Sequence, residues 1–251
     1  INAMGIIPFA GLALVMAAAL FAALLAARAT SQSGAVGLLA GGSTAICGAS
    51  AALALYGVIG RERIEQAQFT LTLVILAAAS AIALVTYPPL TAMLGFTDAQ
   101  AGFLVGASIH DVAQAIGAGF AVSDAAGAQA TVVKLTRVAL LAPLVTLAAL
   151  WIARTEPIAA TGTARRVPML PGFILVFLGL VVLNSLVTLP QALAAYALTA
   201  SKALLLLAVT ATAMRTRTDL LLELGWRSVM PVLAATIASL GAALAFAKYA
   251  L

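Results

Sequence analysis

Charged residues are scarce in this chain, and aromatic residues and cysteine are nearly as sparse. Asp, Glu, Lys and Arg together make up 8% of its 251 residues, aromatic residues 6% and hydrophobic residues 64%. An ordinary soluble domain has about 25% charged and about 45–50% apolar residues. The composition therefore excludes an ordinary soluble enzyme or binding domain and indicates a polytopic membrane protein.

The shortage of reactive side chains also excludes several kinds of site. The single cysteine, Cys47, cannot form a disulfide within the chain, and no second Cys or neighbouring His completes a zinc or redox motif. The GxxxxGK[ST] pattern of ATP-binding loops is absent. The net charge of +5 is spread between apolar segments and forms no basic stripe. We therefore expect no cofactor, no metal and no nucleic-acid partner.

The hydrophobic residues fall into eight apolar segments, which we letter a to h. Each approaches or exceeds the roughly 20 residues that cross a bilayer as a helix. Their approximate bounds are 5–27, 34–59, 67–87, 99–121, 131–153, 169–189, 192–213 and 228–250. Pro88 and Pro89 are expected to end segment c. The predicted fold class is an all-α, multi-pass transmembrane helical bundle.

The basic residues between the segments indicate which connections lie in the cytoplasm. If all eight segments cross, one side receives seven and the other receives three. The seven are Arg28, Arg154, Arg165, Arg166, Arg215, Arg217 and Arg227, and the three are Arg61, Arg63 and Lys248. If segments b and d instead enter and return on the same side, Arg61 and Arg63 join the cytoplasmic set. The charge bias therefore permits both topologies.

Segment b contains a run of small and polar residues, GGSTAICGAS, where an uninterrupted helix would be expected. Gly41, Gly42 and Ser43 favour a helix stop and an N-cap, with a new helix from about Thr44. A helix start presents N–H groups and a positive dipole end, which suit an anion. The alternative is that these small residues let two helices approach closely. On the first hypothesis the anion-binding residues are Ser43, Thr44, Cys47, Gly48 and Ser50.

Segment d carries a second interruption, GASIHDVAQAIGAG at 106–119. It contains the only histidine of the chain, His110, beside Asp111, and a helix would place His110 and Gln114 on one face. An ionisable residue within a span is costly and usually marks a substrate, ion or proton pathway. The alternative is a structural Asp111 that is neutralised by Lys134 or Arg137 of segment e. Those two cations would otherwise snorkel to the interface.

Segment g places Lys202 about ten residues from either end, or roughly 15 Å from each interface. A lysine side chain does not easily span that distance. Lys202 is therefore expected to face protein or water, where it would bind an anion or pair with Asp111.

Three sequences, in this order and at these separations, carry a family resemblance: GGSTAICGASAAL, VGASIHDVAQAIGAG and VVKLTRVALLAPL. They resemble the YeiH-like bacterial membrane proteins, a family whose name refers to sulfate export. The resemblance implies a relation to the bile, arsenite and riboflavin transporters and the cation–proton antiporters. It implies two inverted five-helix repeats, residues 1–87 being the remainder of repeat one without its first helices and residues 99–251 being repeat two. The break in segment b would then meet segment g, near Lys202.

The predicted function is secondary transport of a small anion in the bacterial cytoplasmic membrane. The expected substrate is sulfate, sulfite or an organic sulfonate, and export is the expected direction. The substrate would be bound by Ser43, Thr44, Cys47, Gly48, Ser50 and Lys202, and the coupling or charge-balancing cluster would be His110, Asp111, Gln114, Lys134 and Arg137. The other partners expected are the lipid bilayer, a coupling proton or sodium ion, and a second copy in a homodimer.

Other functions remain compatible with the same residues. A passive anion channel could use the same helix breaks and Lys202, and a transporter could carry a different organic anion. An intramembrane enzyme is disfavoured, because Ser43 is the only attractive nucleophile and no triad spacing accompanies it.

Overall fold

The computed structural model describes residues 5–155 and 225–251, together with isolated positions between 176 and 207. We number the completely described helices α1 to α9, and no strand occurs among the described residues. The helices are α1 (Ile6–Ala29), α2 (Gly34–Ala45), α3 (Ala49–Ile59), α4 (Gln66–Met93), α5 (Asp98–Ser108), α6 (Val112–Val122), α7 (Asp124–Ala139), α8 (Leu141–Thr155) and α9 (Met230–Ala250). The predicted all-α helical fold is confirmed.

Four helical stretches in the described residues are long and apolar enough to cross a bilayer. They are α1, α4, the α7–α8 pair over Asp124–Ile152, and α9 with the short helical turn before it. Helix α4 is longer than predicted. Pro88 and Pro89 do not end it but lie inside it, and the helix continues to Met93. A proline removes one backbone N–H donor, but here it does not stop the helix.

Helices α2 and α3 form a re-entrant hairpin. A Cβ atom added to Gly42 in α2 would lie 2.5 Å from Cδ1 of Leu55 in α3, which shows that α3 returns alongside α2. The segments that flank the hairpin both contact the short helical turn before α9. The side chains of Gln32, before α2, and Gln68, in the first turn of α4, donate to the carbonyl oxygens of Arg227 and Ser228. The hairpin therefore begins and ends on one side of the membrane.

Helices α5 and α6 form a second re-entrant hairpin. Helix α5 begins with a capping box in which Thr97 and Gln100 exchange hydrogen bonds between side chain and backbone. At the other end of the hairpin, the hydroxyl of Ser123 donates to Oδ1 of Asp98 at 2.7 Å. Since α4 crosses the membrane between the two hairpins, the second hairpin enters from the side opposite to the first.

Segments b and d therefore do not cross the membrane. Of the two topologies that the charge bias permits, the one in which both segments enter and return on the same side is correct. Among the described residues, the arginines in the connections then all lie on one side, and Lys248 lies on the other. They are Arg28, Arg61, Arg63, Arg154 and Arg227. This bias favours a cytoplasmic position for the base of the first hairpin.

The predicted helix stop at Gly41 and Gly42 is also wrong. Helix α2 continues to Ala45, and the interruption occurs at Ile46–Gly48. Gly41 instead allows α1 to approach, since a Cβ atom there would lie 2.8 Å from the Cα of Leu20. For Gly41 and Gly42, close helix packing is the correct interpretation of the small residues.

Candidate functional site

The two hairpin tips meet near the middle of the membrane; the first tip is residues 46–48, between α2 and α3, and the second tip is residues 109–111, between α5 and α6. Helices α2 and α5 have 12 and 11 residues, so each reaches about 16–18 Å inward, roughly half of a bilayer. At the junction, a Cβ atom on Gly48 of the first tip would lie 3.5 Å from the Cβ of His110 in the second tip. The two interruptions that the sequence singles out are thus in direct contact.

Arg137 of α7 connects both tips through backbone carbonyl groups. Its Nε donates to Ala45 at 2.9 Å and its Nη2 to Thr44 at 2.6 Å, at the end of α2. Its Nη1 donates towards three carbonyl oxygens at the end of α5, those of Gly106, Ala107 and Ile109. The side chain is fully buried. Arg137 therefore provides hydrogen-bond donors at the ends of two helices.

Lys134, one turn earlier on α7, contacts the same two tips. Its Nζ donates to the carbonyl oxygens of Ile46 at 3.1 Å, of Ile109 at 2.7 Å and of His110. It is also fully buried. All three ammonium hydrogens of Lys134 are therefore used by the backbone.

This arrangement follows from the chemistry of broken helices in lipid. The last turn of a helix leaves carbonyl groups unpaired and carries about half a negative charge, and in hydrocarbon no water is available to satisfy it. Lys134 and Arg137 lie where α2 and α5 end. Their N–H groups pair with the free carbonyl groups, and their positive charges offset the negative ends of the two helix dipoles. Snorkelling to the interface is therefore wrong for both cations, since both are fully buried. Neither forms a direct ion pair with Asp111 among the described residues, although Asp111 lies close enough to act on the charge of Lys134.

The start of α3 differs from the start of α6, the other helix that begins at a tip. Its N-cap residue is Gly48, with φ +65° and ψ −116°, and no side chain caps the helix. The first N–H groups of α3 and the positive end of its dipole are therefore directed at the region between the tips. Beside them, Cys47 Sγ and Ser50 Oγ lie 2.7 Å apart, and Ser50 is only half-buried.

Ser43 and Thr44, two of the predicted anion-binding residues, lie inside α2. Their hydroxyl groups donate back to Leu39 at 2.5 Å and to Ala40 at 2.8 Å, and both side chains are fully buried. Thr44 also provides a carbonyl oxygen to Arg137. The hydroxyl groups of both residues therefore already donate their hydrogens to carbonyl oxygens of α2.

Asp111 is the N-cap of α6, a role that the sequence analysis did not predict. Its Oδ1 accepts from the backbone N–H of Gln114 at 2.9 Å, and its own N–H donates to Ser80 of α4 at 3.2 Å. Because Ser80 takes that N–H, the capping box stays half-formed and Oε1 of Gln114 is buried without a partner. Among the described ion pairs, none joins Asp111 to Lys134 or Arg137.

His110 attaches the second tip to α9. Its Nε2 lies 3.0 Å from Oγ1 of Thr236, and that hydroxyl donates to Val232. The other ring nitrogen, Nδ1, is buried and has no hydrogen-bond partner among the described residues. Ser80 and Thr236 are not predictable from the sequence, because single hydroxyl residues within apolar helices carry no motif. The predicted site residue Lys202 lies outside the described residues.

Comparisons with known proteins place the chain in a family of bacterial membrane proteins. Residues 1–232 match the family described as Conserved hypothetical protein 698. The UPF0324 membrane protein TauZ of Paracoccus pantotrophus is 40% identical over 215 residues, which cover 86% of this chain and 63% of TauZ. The UPF0324 inner membrane protein YeiH of Salmonella typhi is 31% identical over 198 residues, which cover 78% of this chain and 55% of YeiH.

The chain thus spans less than two thirds of the length of these curated relatives. No solved structure matches it. The resemblance to YeiH-like proteins is confirmed, and the location in the bacterial inner membrane agrees with the four long apolar helices. On these grounds the chain belongs to the Conserved hypothetical protein 698 family, whose curated relatives include UPF0324 membrane proteins.

Proposed function

We propose that the protein is a secondary transporter of a small anion, with sulfate, sulfite or an organic sulfonate as substrate. The observation that carries this proposal is the meeting of two opposed hairpin tips around two buried cations. Lys134 and Arg137 have no acidic partner among the described ion pairs. A buried, unpaired positive charge is costly, and an anion at the same place offsets part of that cost.

The anion is proposed to bind at the start of α3. The uncapped N–H groups of that helix, the hydroxyl of Ser50 and the thiol of Cys47 lie together there. Backbone N–H groups at a helix start suit sulfur oxyanions and sulfonates, which present several acceptor oxygens on one face. Lys202 remains a predicted further ligand.

The position of the site also supports transport between the two sides. The tips come from opposite sides and meet about halfway through the bilayer, where a substrate could be reached alternately from either side. The inside-negative membrane potential favours anion exit by about 2.3 kcal/mol per charge and 100 mV. Export is therefore the proposed direction, and Asp111 is the proposed position for a coupling proton or sodium ion.

Flux measurements on the protein in liposomes test this proposal. Liposomes preloaded with unlabelled methanesulfonate or sulfate should take up the labelled anion faster than unloaded liposomes, and uptake should saturate with concentration. A potassium diffusion potential, negative inside, should accelerate efflux. A passive anion channel predicts flux without saturation and without stimulation by internal anion. Flux no higher than in protein-free liposomes, for sulfate, sulfite and methanesulfonate alike, would refute transport of these anions.

A further inference from the structure

We infer that Lys134 and Arg137 determine the charge selectivity of the site without touching the transported anion. This inference rests on the proposed function and concerns how the same site selects its substrate. The two residues act through the hairpin tips that they hold and through the field of their charges, so they are positioning and selectivity residues rather than ligands.

The hydrogen bonds of the two side chains support this assignment. Lys134 donates to three carbonyl oxygens, which is the full capacity of an ammonium group. Arg137 donates through Nε, Nη1 and Nη2 to carbonyl oxygens of both tips. Both side chains are fully buried. A direct contact of Lys134 with the anion would require it to release a helix end inside the bilayer, where nothing replaces it. Arg137 keeps one further Nη2 hydrogen, but its side chain is fully enclosed, so an anion would reach it only if the surrounding residues moved.

The charges at the tips leave a positive excess. The ends of α2 and α5 contribute about half a negative charge each, so together they offset about one of the two cations. Asp111, which caps α6, offsets the similar positive contributions from the starts of α3 and α6. About one positive charge therefore remains near the start of α3. That excess favours an anion over a zwitterion or a neutral molecule of the same shape.

Lys134→Gln tests the inference, because glutamine keeps donor hydrogens and removes the charge. Methanesulfonate and taurine share a sulfonate group, but taurine also carries an ammonium and has no net charge. If the anion lies roughly 8 Å from the Lys134 ammonium, one charge changes affinity by about tenfold or more at an effective dielectric constant of about 20. The KM for methanesulfonate should therefore rise about tenfold in Lys134→Gln proteoliposomes. The KM for taurine should change by about threefold or less, because its ammonium offsets most of the effect on its sulfonate. Lys134→Arg keeps the charge and should retain the preference for methanesulfonate.

Lys248→Gln is the matched control, since it removes an exposed lysine at the end of α9 and should leave both KM values unchanged. An equal loss for methanesulfonate and taurine in Lys134→Gln would overturn the inference, because it is the pattern of a purely structural role. If the variants do not fold, wild-type protein compared with dimethyl sulfone, a neutral molecule of similar shape, still tests the charge selectivity on which the inference depends. Equal affinity for methanesulfonate and dimethyl sulfone would overturn it, and at least tenfold tighter binding of methanesulfonate would support it. Absence of any flux in wild-type protein would instead refute the proposed function.

Discussion

Arg137→Leu is expected to prevent the protein from folding. The substitution removes a donor from five buried carbonyl oxygens at the ends of α2 and α5. Ile109 still accepts from Lys134, and Ala107 still has the hydroxyl of Ser239 at 3.5 Å, so three oxygens lose their side-chain donor altogether. An unsatisfied buried acceptor costs about 1–3 kcal/mol, so the total reaches about 3–9 kcal/mol, comparable to the whole stability of many domains. The measurement is the yield of monodisperse protein in detergent and its melting temperature.

Arg61→Leu is the control for that variant. Arg61 is exposed in the connection after α3, and its replacement should lower the melting temperature by only a few degrees. Arg137→Lys should give an intermediate result, since a lysine keeps the charge but has fewer donors in a different geometry. A wild-type melting temperature for Arg137→Leu would show that the hairpin tips are not held by this side chain.

Gly48→Ala is expected to destabilise the first hairpin tip and to lower anion affinity. Gly48 has φ +65° and ψ −116°, a conformation that is essentially restricted to glycine. Forcing a side chain into such a conformation costs about 1–3 kcal/mol. Because Gly48 precedes the proposed anion-binding N–H groups, relaxation of this strain would also displace them. We expect a melting temperature lower by several degrees and an anion KM raised at least fivefold.

Gly57→Ala provides a control within the same hairpin. Gly57 lies in the last turn of α3, and a Cβ atom there has no neighbour within 4 Å. Alanine is about 1 kcal/mol better than glycine in a helix, so this variant should be as stable as the wild type or more stable. If Gly48→Ala behaves like Gly57→Ala, the glycine is not required by the tip conformation.

The sequence predicts the membrane-spanning character, an interruption in each of the two segments and the place of the second, but not the path of the chain through them. Composition alone indicates helices in lipid, and His110 beside Asp111 marks the second break correctly. Gly-Gly-Ser is a strong local stop signal, so the sequence predicts the first helix stop a few residues too early, at Gly41–Ser43. Tertiary packing overrides that signal, since Gly41 is needed where α1 approaches. Whether a broken helix crosses or returns depends on contacts between distant residues, such as Ser123 with Asp98.

The site is less predictable than the fold, for a physical reason. A buried cation is expected to pair with a carboxylate, so the sequence predicts an ion pair between Asp111 and Lys134, Arg137 or Lys202. Lys134 and Arg137 instead take backbone carbonyl groups as partners, and carbonyl groups are present at every residue. No residue pattern distinguishes the carbonyl groups at a helix end in the membrane from the others. The partners of these cations depend on where the helix breaks lie in three dimensions, which the sequence does not show.

The most direct test of the opposed hairpins is the side of the membrane on which their bases react. Single cysteines at Ser31, Arg61, Phe96 and Ser123, in a Cys47→Ser background, can be labelled in inside-out and right-side-out vesicles with a membrane-impermeant maleimide. The structure predicts that Ser31→Cys and Arg61→Cys react from the cytoplasmic side, and Phe96→Cys and Ser123→Cys from the opposite side. Labelling of Ser31→Cys and Arg61→Cys from different sides would show that α2 and α3 cross the membrane, and would contradict the meeting of two re-entrant tips.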